Sequence, residues 1–160
     1  MTKGSASRWW VDAARGAVAG GIATWVMDMT TTGILSNQPD SVKQQEERVR
    51  PNHKSSVENL VDRVGAATGA TPNPTLAHYA LGVLPGAVYA LLRSRVPLVG
   101  LGRGLGFGVL LWLVNDELLN SRFGLAAPID AYPAETHWRG FVGHAVLGAA
   151  TETGIDLLGG

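Results

Sequence analysis

At 160 residues the chain has the length of one domain and none to spare for a second. Its 13 Lys+Arg and 13 Asp+Glu cancel, which argues against nucleic acid as a partner, because phosphate binding needs a basic surplus. The absence of cysteine rules out disulfides and thiolate metal ligands.

The mean hydropathy of +0.11 hides a segregation of polar and apolar residues along the chain. Four apolar segments stand out: Val11 to Leu35, Thr75 to Leu92, Leu98 to Leu119 and Trp138 to Leu158. Each is roughly 18 to 25 residues, which as a helix matches a hydrocarbon core of about 30 Å. Of the 21 glycines, 15 fall inside these segments rather than in linkers. That is the habit of membrane helices, where small residues let backbones approach. In a soluble helix each would cost up to about 1 kcal/mol. The pattern predicts an all-α fold, a four-helix transmembrane bundle with the lipid bilayer as its solvent.

Taken in order, the amino-terminal tail carries Lys3 and Arg8 but no small-x-small cleavage site, so the first helix is expected to stay as an anchor. Trp9, Trp10 and Trp138 suit interfacial positions. Within the first helix, Gly16, Gly20, Thr24, Asp28 and Thr32 follow one another at i+4 and so share a face. The long connection over residues 36–74 holds a polar, helix-prone stretch from Val42 to Val49. A capping box at Ser55-Ser56-Val57-Glu58 then opens a short amphipathic helix with Leu60, Val61 and Val64 on one face. Gly65 and Gly69 should weaken and end it, and Pro72 and Pro74 redirect the chain.

The second helix lines up His78, Gly82 and Gly86, with Pro85 and Tyr89 nearby. The third repeats the first. Arg15-Gly16-x3-Gly20-x7-Asp28 recurs 88 residues on as Arg103-Gly104-x3-Gly108-x7-Asp116. Its seam runs through Trp112 to Asn120, and Glu117 points away from it, toward water or the second repeat. The alternating glycines from Gly100 to Gly108 lack a nucleotide-loop spacing, and no strand precedes them. The fourth helix carries Gly140, His144, Gly148 and Glu152 on one seam, echoing the second through its His-x3-Gly motif. Two repeated helical hairpins follow, related by an axis along the membrane normal. Short-loop arginines, Arg93, Arg95 and Arg103, join Lys3, Arg8 and Arg15 on one side and place both termini in the cytoplasm.

Ionisable groups inside such helices are costly and demand partners. Asp28, His78, Asp116 and His144 are expected at one level near the extracytoplasmic face, with Glu152 about 12 Å deeper as a lone carboxylate opposite Gly86, or snorkelling toward Arg95 or Arg103. Three readings of the cluster stay open. Asp–His pairs can simply hold helices together. The four residues can ligate a divalent metal such as zinc, manganese or iron, with Glu135 and His137 as accessory ligands, although no Glu-x-x-His signature is present. Or the acids can carry protons. There is no GxSxG motif, so hydrolysis is the least supported chemistry and no catalytic residue is assigned.

The Gly16-to-Asp28 opening with its Ala-Thr-Trp-Val-Met core, and the His78-x3-Gly82-x3-Gly86-x2-Tyr89 helix, resemble the YagU-like family of small bacterial inner-membrane proteins. The Gly-x-Gly-x-Gly helix and the His144-x3-Gly148 helix are similar more loosely. The resemblance implies a multi-spanning membrane protein without implying an activity. The first functional expectation is a non-enzymatic accessory or scaffold subunit, a homo-oligomer or part of a larger membrane complex, packing through Gly16, Gly20, Gly82, Gly86, Gly104, Gly108, Gly140 and Gly148. The alternatives are a small oligomeric transporter or proton/ion-handling protein using Asp28, His78, Asp116, His144 and Glu152, and a metal-dependent membrane enzyme.

Overall fold

The computed structural model describes residues 9–160, so Lys3 and Arg8 of the orientation argument lie outside the described residues. Within them the protein is all-helical, with no strand. The elements are α1 (Trp9–Ser36), α2 (Asp40–Val49), α3 (Ser56–Thr68), α4 (Pro74–Leu92), α5 (Pro97–Gly100), α6 (Leu105–Leu111), a π-helical segment (Trp112–Leu119), α7 (Asn120–Arg122) and α8 (Ala134–Leu157). Short 3-10 turns at Pro51–His53 and Ile129–Ala131 connect them.

Local chemistry explains most of these boundaries. The Ser55 side chain accepts from the Glu58 N–H while the Glu58 carboxylate accepts from the Ser55 N–H, so both halves of the capping box form. Gly69, at φ 72°, closes α3 with a left-handed cap that a side chain would strain. Asn73 caps α4 by accepting from the Thr75 and Leu76 N–H groups, with Pro74 in the first turn, where its missing N–H costs nothing. On α3, Val61 is buried as expected, but Val64 is exposed.

The third apolar segment departs from expectation. Instead of one helix over residues 98–119, it is a single turn, a break and a new start. Gly102, Arg103 and Gly104 all take positive φ, at 61°, 55° and 91°, which no right-handed helix accommodates. The helix then widens into the π-helical form, and the Asn120 N–H reaches back five residues to the Asn115 carbonyl.

Two glycine crossings set how the long helices pack. A Cβ on Gly16 would land on the Gly86 carbonyl oxygen, and one on Gly86 would lie 2.9 Å from the Gly20 Cα. In the other crossing, a Cβ on Gly104 would strike the Gly148 carbonyl, and one on Gly148 would lie 2.9 Å from the Gly108 nitrogen. α1 is central, packed along α4 on one side and α8 on the other, and α6 packs on α8. These glycines therefore pack the chain against itself. Gly140 differs: a Cβ there would meet the Trp112 indole at 3.1 Å.

The interior is made of small residues. Ala19, Ala23, Thr24 and Thr151 are buried beside Tyr89 and Ile155, while Val18, Ile22, Trp25, Met29, Leu84 and Val88 face outward. One helix among the described residues, α4, is long and apolar enough to cross a membrane by length and composition. α1 and α8 are longer, but Asp12, Arg15 and Asp28, or Arg139, Glu152 and Asp156, interrupt them.

Gly86→Ala should push α1 and α4 apart and destabilise the protein by about 1 to 3 kcal/mol, as overpacking does. Gly33→Ala, with nothing within 4 Å of its added carbon, should be neutral or stabilising by up to about 1 kcal/mol. Thermal unfolding of the two variants side by side checks the contrast.

Candidate functional site

The crossings determine which polar residues meet. One turn beyond Thr24, Asp28 Oδ1 lies 2.8 Å from His78 Nε2, joining α1 to α4. A carboxylate only accepts, so this nitrogen carries a hydrogen. In the other pair, Asp116 Oδ2 stands 3.6 Å from His144 Nδ1, and Oδ1 accepts from the Asn115 amide at 2.9 Å. His144 Nδ1 donates to the Gly140 carbonyl at 3.0 Å.

The backbone register corrects the sequence alignment of the two histidines. Gly16 sits over Gly86 as Gly104 sits over Gly148, and Gly20 meets Gly82 as Gly108 meets His144. His144 therefore matches Gly82, one turn deeper than His78, and the residue matching His78 is Gly140. This explains the geometry. Asp28 has an imidazole directly opposite, whereas Asp116 faces a glycine, with a hypothetical Cβ 3.8 Å away, and must reach obliquely for His144.

Space opens at that point. A polar cavity of about 280 Å³ is lined by Glu46, Arg50, Asp116, Glu117, His137 and Arg139, among others. A second, of about 370 Å³, is lined by His78, Asp116 and His144 on one side and by Leu81, Pro85 and Leu111 on the other. Both include Met27, Ser56, Asp116, Asn120 and His144 in their walls. Three of the four expected cluster residues thus share one cavity, with Asp28 hydrogen-bonded to His78.

Glu117 does not face water. It is 8% exposed and pairs with His137 Nδ1 at 2.7 Å, while His137 Nε2 lies 3.0 Å from the Ile129 carbonyl. The helix start expected at Glu135 or Thr136 has no side-chain cap; the Thr136 hydroxyl instead donates to Glu46 at 2.9 Å.

Glu46 holds the cap on the bundle. It is 4% exposed, takes both oxygens to one Arg139 nitrogen at 2.8 and 2.7 Å, and also accepts from Arg50. Arg139 donates further to Gln38 at 2.6 Å. Burial pushes the Glu46 carboxyl up, but the bonds and charge of Arg139, with Thr136 and Arg50, outweigh it and hold it below its ordinary 4.5. Asn59 anchors α3 in the same way, donating to the Pro51 and Leu125 carbonyls at 3.1 and 3.0 Å.

At the far end of α8, Glu152 is not a lone carboxylate, and its partners are neither Arg95 nor Arg103. It lies 3.0 Å from Arg93 and accepts from the Tyr89 hydroxyl at 2.6 Å. Arg93 and Arg103 both bind Asp156, at 3.1 and 2.6 Å. The register places Ala90, rather than Gly86, at the level of Glu152.

Among the described residues no three His, Asp or Glu side chains stand close enough to hold a metal ion. The metal centre expected from Asp28, His78, Asp116 and His144 does not assemble, because the one-turn offset of His144 leaves two pairs instead of one set of four. No protein-family model, curated protein or solved structure matches the chain.

Sequence reasoning missed Glu46 and Arg139. Their separation of 93 residues leaves no local spacing to read.

Arg139→Met should loosen the cap by about 3 kcal/mol, the lower end of the cost of stranding one partner of a buried pair. Because the Glu46 carboxyl is held below its ordinary value, its stabilisation is present above that value and is lost as pH falls through the lowered one. Hydrogen exchange across residues 40–49 should accelerate in the variant at neutral pH, and in the parent protein only under acid conditions.

Proposed function

We propose that this chain is an integral membrane protein with four spanning segments, built on α1, α4, α6 with its π-helical continuation, and α8, and arranged as two related hairpins. Its inverted distribution of side chains supports the lipid reading: a core of Gly, Ala and Thr inside a shell of Leu, Val, Ile and Trp suits hydrocarbon rather than water as the outer solvent. The start of α1 and the end of α8 share one end of the molecule, where Arg15 approaches Gly159 and Arg93, Arg95 and Arg103 gather. That basic end is the cytoplasmic one. The cap and the acid–imidazole pairs then face the other side. The likeness to the YagU-like family fits the same arrangement.

The working part, in this reading, is the Asp116–His144 pair, and the protein handles protons in exchange with a solute admitted from the capped side. The observation that carries it is the direct opening of a carboxylate and an imidazole, 3.6 Å apart, onto a cavity within the bundle. Between this pair and Glu152 the waist is packed by buried Ala19, Ala23, Leu147 and Thr151, so the form described is closed toward the basic end. A carrier that opens alternately to the two sides has such a form. The scaffold reading loses its motive, because the glycine faces that would have met a partner are occupied within the chain.

The protein should stay with the membrane pellet through an alkaline wash; release into the supernatant would end the membrane reading. Reconstituted in vesicles, it should dissipate a proton gradient faster than empty vesicles do, and Asp116→Asn should reduce that rate at least tenfold. Equal leak from empty, parent and variant vesicles would remove the proton-handling role.

A further inference from the structure

The two helices of the cap are fastened in different ways. α3 is fixed at several points: Asn59 donates to the Leu125 carbonyl, Arg63 donates to the Phe123 carbonyl, and the helix packs on α4. α2 packs closely against none of the long helices. Its one buried residue is Glu46, which reaches Arg139 and Thr136 on α8.

The joint between α2 and α3 is strained. Asn52 and His53 take φ 58° and 55°, a left-handed region that residues with a side chain adopt rarely. Such outliers persist where the surroundings over-determine them, and they gather at switch regions. Here the joint is tied to α3. Asn52 donates to the Asn59 side chain at 3.0 Å, and Asn59 donates to the Pro51 carbonyl at 3.1 Å. The polar cavity lies beneath α2. Glu46, Arg50 and Lys54 line it from the cap, and Glu117, Asp116 and His144 line it from the bundle.

The charges around Glu46 make its contact reversible. Arg50 of α2 and Arg139 of α8 both bind it. Arg50 also pairs with Glu47 at 3.3 Å, and Lys54 pairs with Asp62 at 2.6 Å. On the bundle side Glu117 stands against His137 and Asp116 against His144. Protonating Glu46 neutralises the carboxylate that both guanidiniums share, and Arg50 then repels Arg139 across the gap between α2 and α8.

We infer that α2 is an acid-released lid on the polar cavity, latched by Glu46 to Arg139 and hinged at Asn52–His53, which opens the Asp116–His144 pair to the capped side. The inference rests on the reading of that pair given above and names what regulates access to it.

The chain has no cysteine of its own, so nitroxide labels can be placed in pairs on the full protein in phosphatidylcholine nanodiscs. Gln44→Cys on α2 is paired with Thr153→Cys on α8, and Ala66→Cys on α3 is paired with the same α8 position; all three residues are exposed. Pulsed dipolar spectroscopy reads the separations. At neutral pH each pair should give a single separation. Below the ordinary carboxylate value of 4.5, the α2 pair should gain a longer separation whose population rises by about tenfold or more, while the α3 pair stays unchanged. Glu46→Gln, which mimics the protonated acid, should show the longer separation at neutral pH. One α2 separation under all these conditions overturns the inference. So does an α3 pair that moves with α2, because the cap then loosens as a whole, and so does opening in acid that Glu46→Gln fails to reproduce. Opening without proton flux in vesicles removes proton handling and leaves the lid; flux with a single α2 separation removes the lid alone.

Discussion

Helix spacing in this protein is set by backbone meeting backbone. Where α1 crosses α4, and where α6 crosses α8, the contact surface is glycine on glycine, with carbonyl oxygens occupying the places side chains would take. Close approach increases dispersion contact and lets Cα–H groups face carbonyl oxygens, gains that matter most where hydrophobic burial supplies no driving force between helices. Because neither crossing can slide without a clash, the level of every residue further along these helices follows. Asp28 meets His78 for that reason, and Asp116 meets an empty position.

The same crossings leave the bulky residues no place inside. Tyr89 and Ile155 are the largest fully buried side chains, alongside Thr24 and Thr151. Both threonines return their hydroxyl hydrogens to their own helices, at 2.8 and 2.7 Å, so they add no polar demand to the interior. Val18, Ile22, Trp25, Leu84 and Val88 lie outside instead, the reverse of the usual preference for large apolar side chains inside. The inversion seen here follows from using glycine as the packing surface. It lets the ionisable residues collect at the two ends, Asp28, His78, Asp116, His144, Glu117 and Glu46 at one and Glu152, Asp156, Arg93 and Arg103 at the other.

Much of this was legible in the residues. The i+4 stripes named the packing glycines, the Ser55–Glu58 box and Gly69 marked α3, and Asp28–His78 was foreseeable from antiparallel neighbours. The third segment was not, because an apolar run carries no mark of backbone hand. Three successive positive φ angles at Gly102, Arg103 and Gly104 became visible only in three dimensions. The histidine register misled for a related reason: His-x3-Gly looks the same in α4 and α8, but the glycine that crosses Gly16 is the second after His78, whereas the one that crosses Gly104 is the first after His144. The Glu46–Arg139 link joins distant segments of unpatterned sequence, and nothing local announces it.

The π-helical stretch ties these observations together. It occupies Trp112–Leu119, the part of the third segment that carries Asn115, Asp116 and Glu117, whereas the matching part of α1 around Asp28 is ordinary α-helix. In an α-helix Asp116 and Glu117 would diverge by about 100°, and one of them would leave the bundle. With an extra residue in the turn, Asp116 faces His144 and Glu117 faces His137, so α8 receives two carboxylates from adjacent positions. A π-bulge gives up regular α-helical hydrogen bonding and is frequent at functional sites. The departure from two-fold likeness between the halves, glycine for histidine at Gly140 and π for α at Asp116, therefore falls at one place. That place is where the cavity lies.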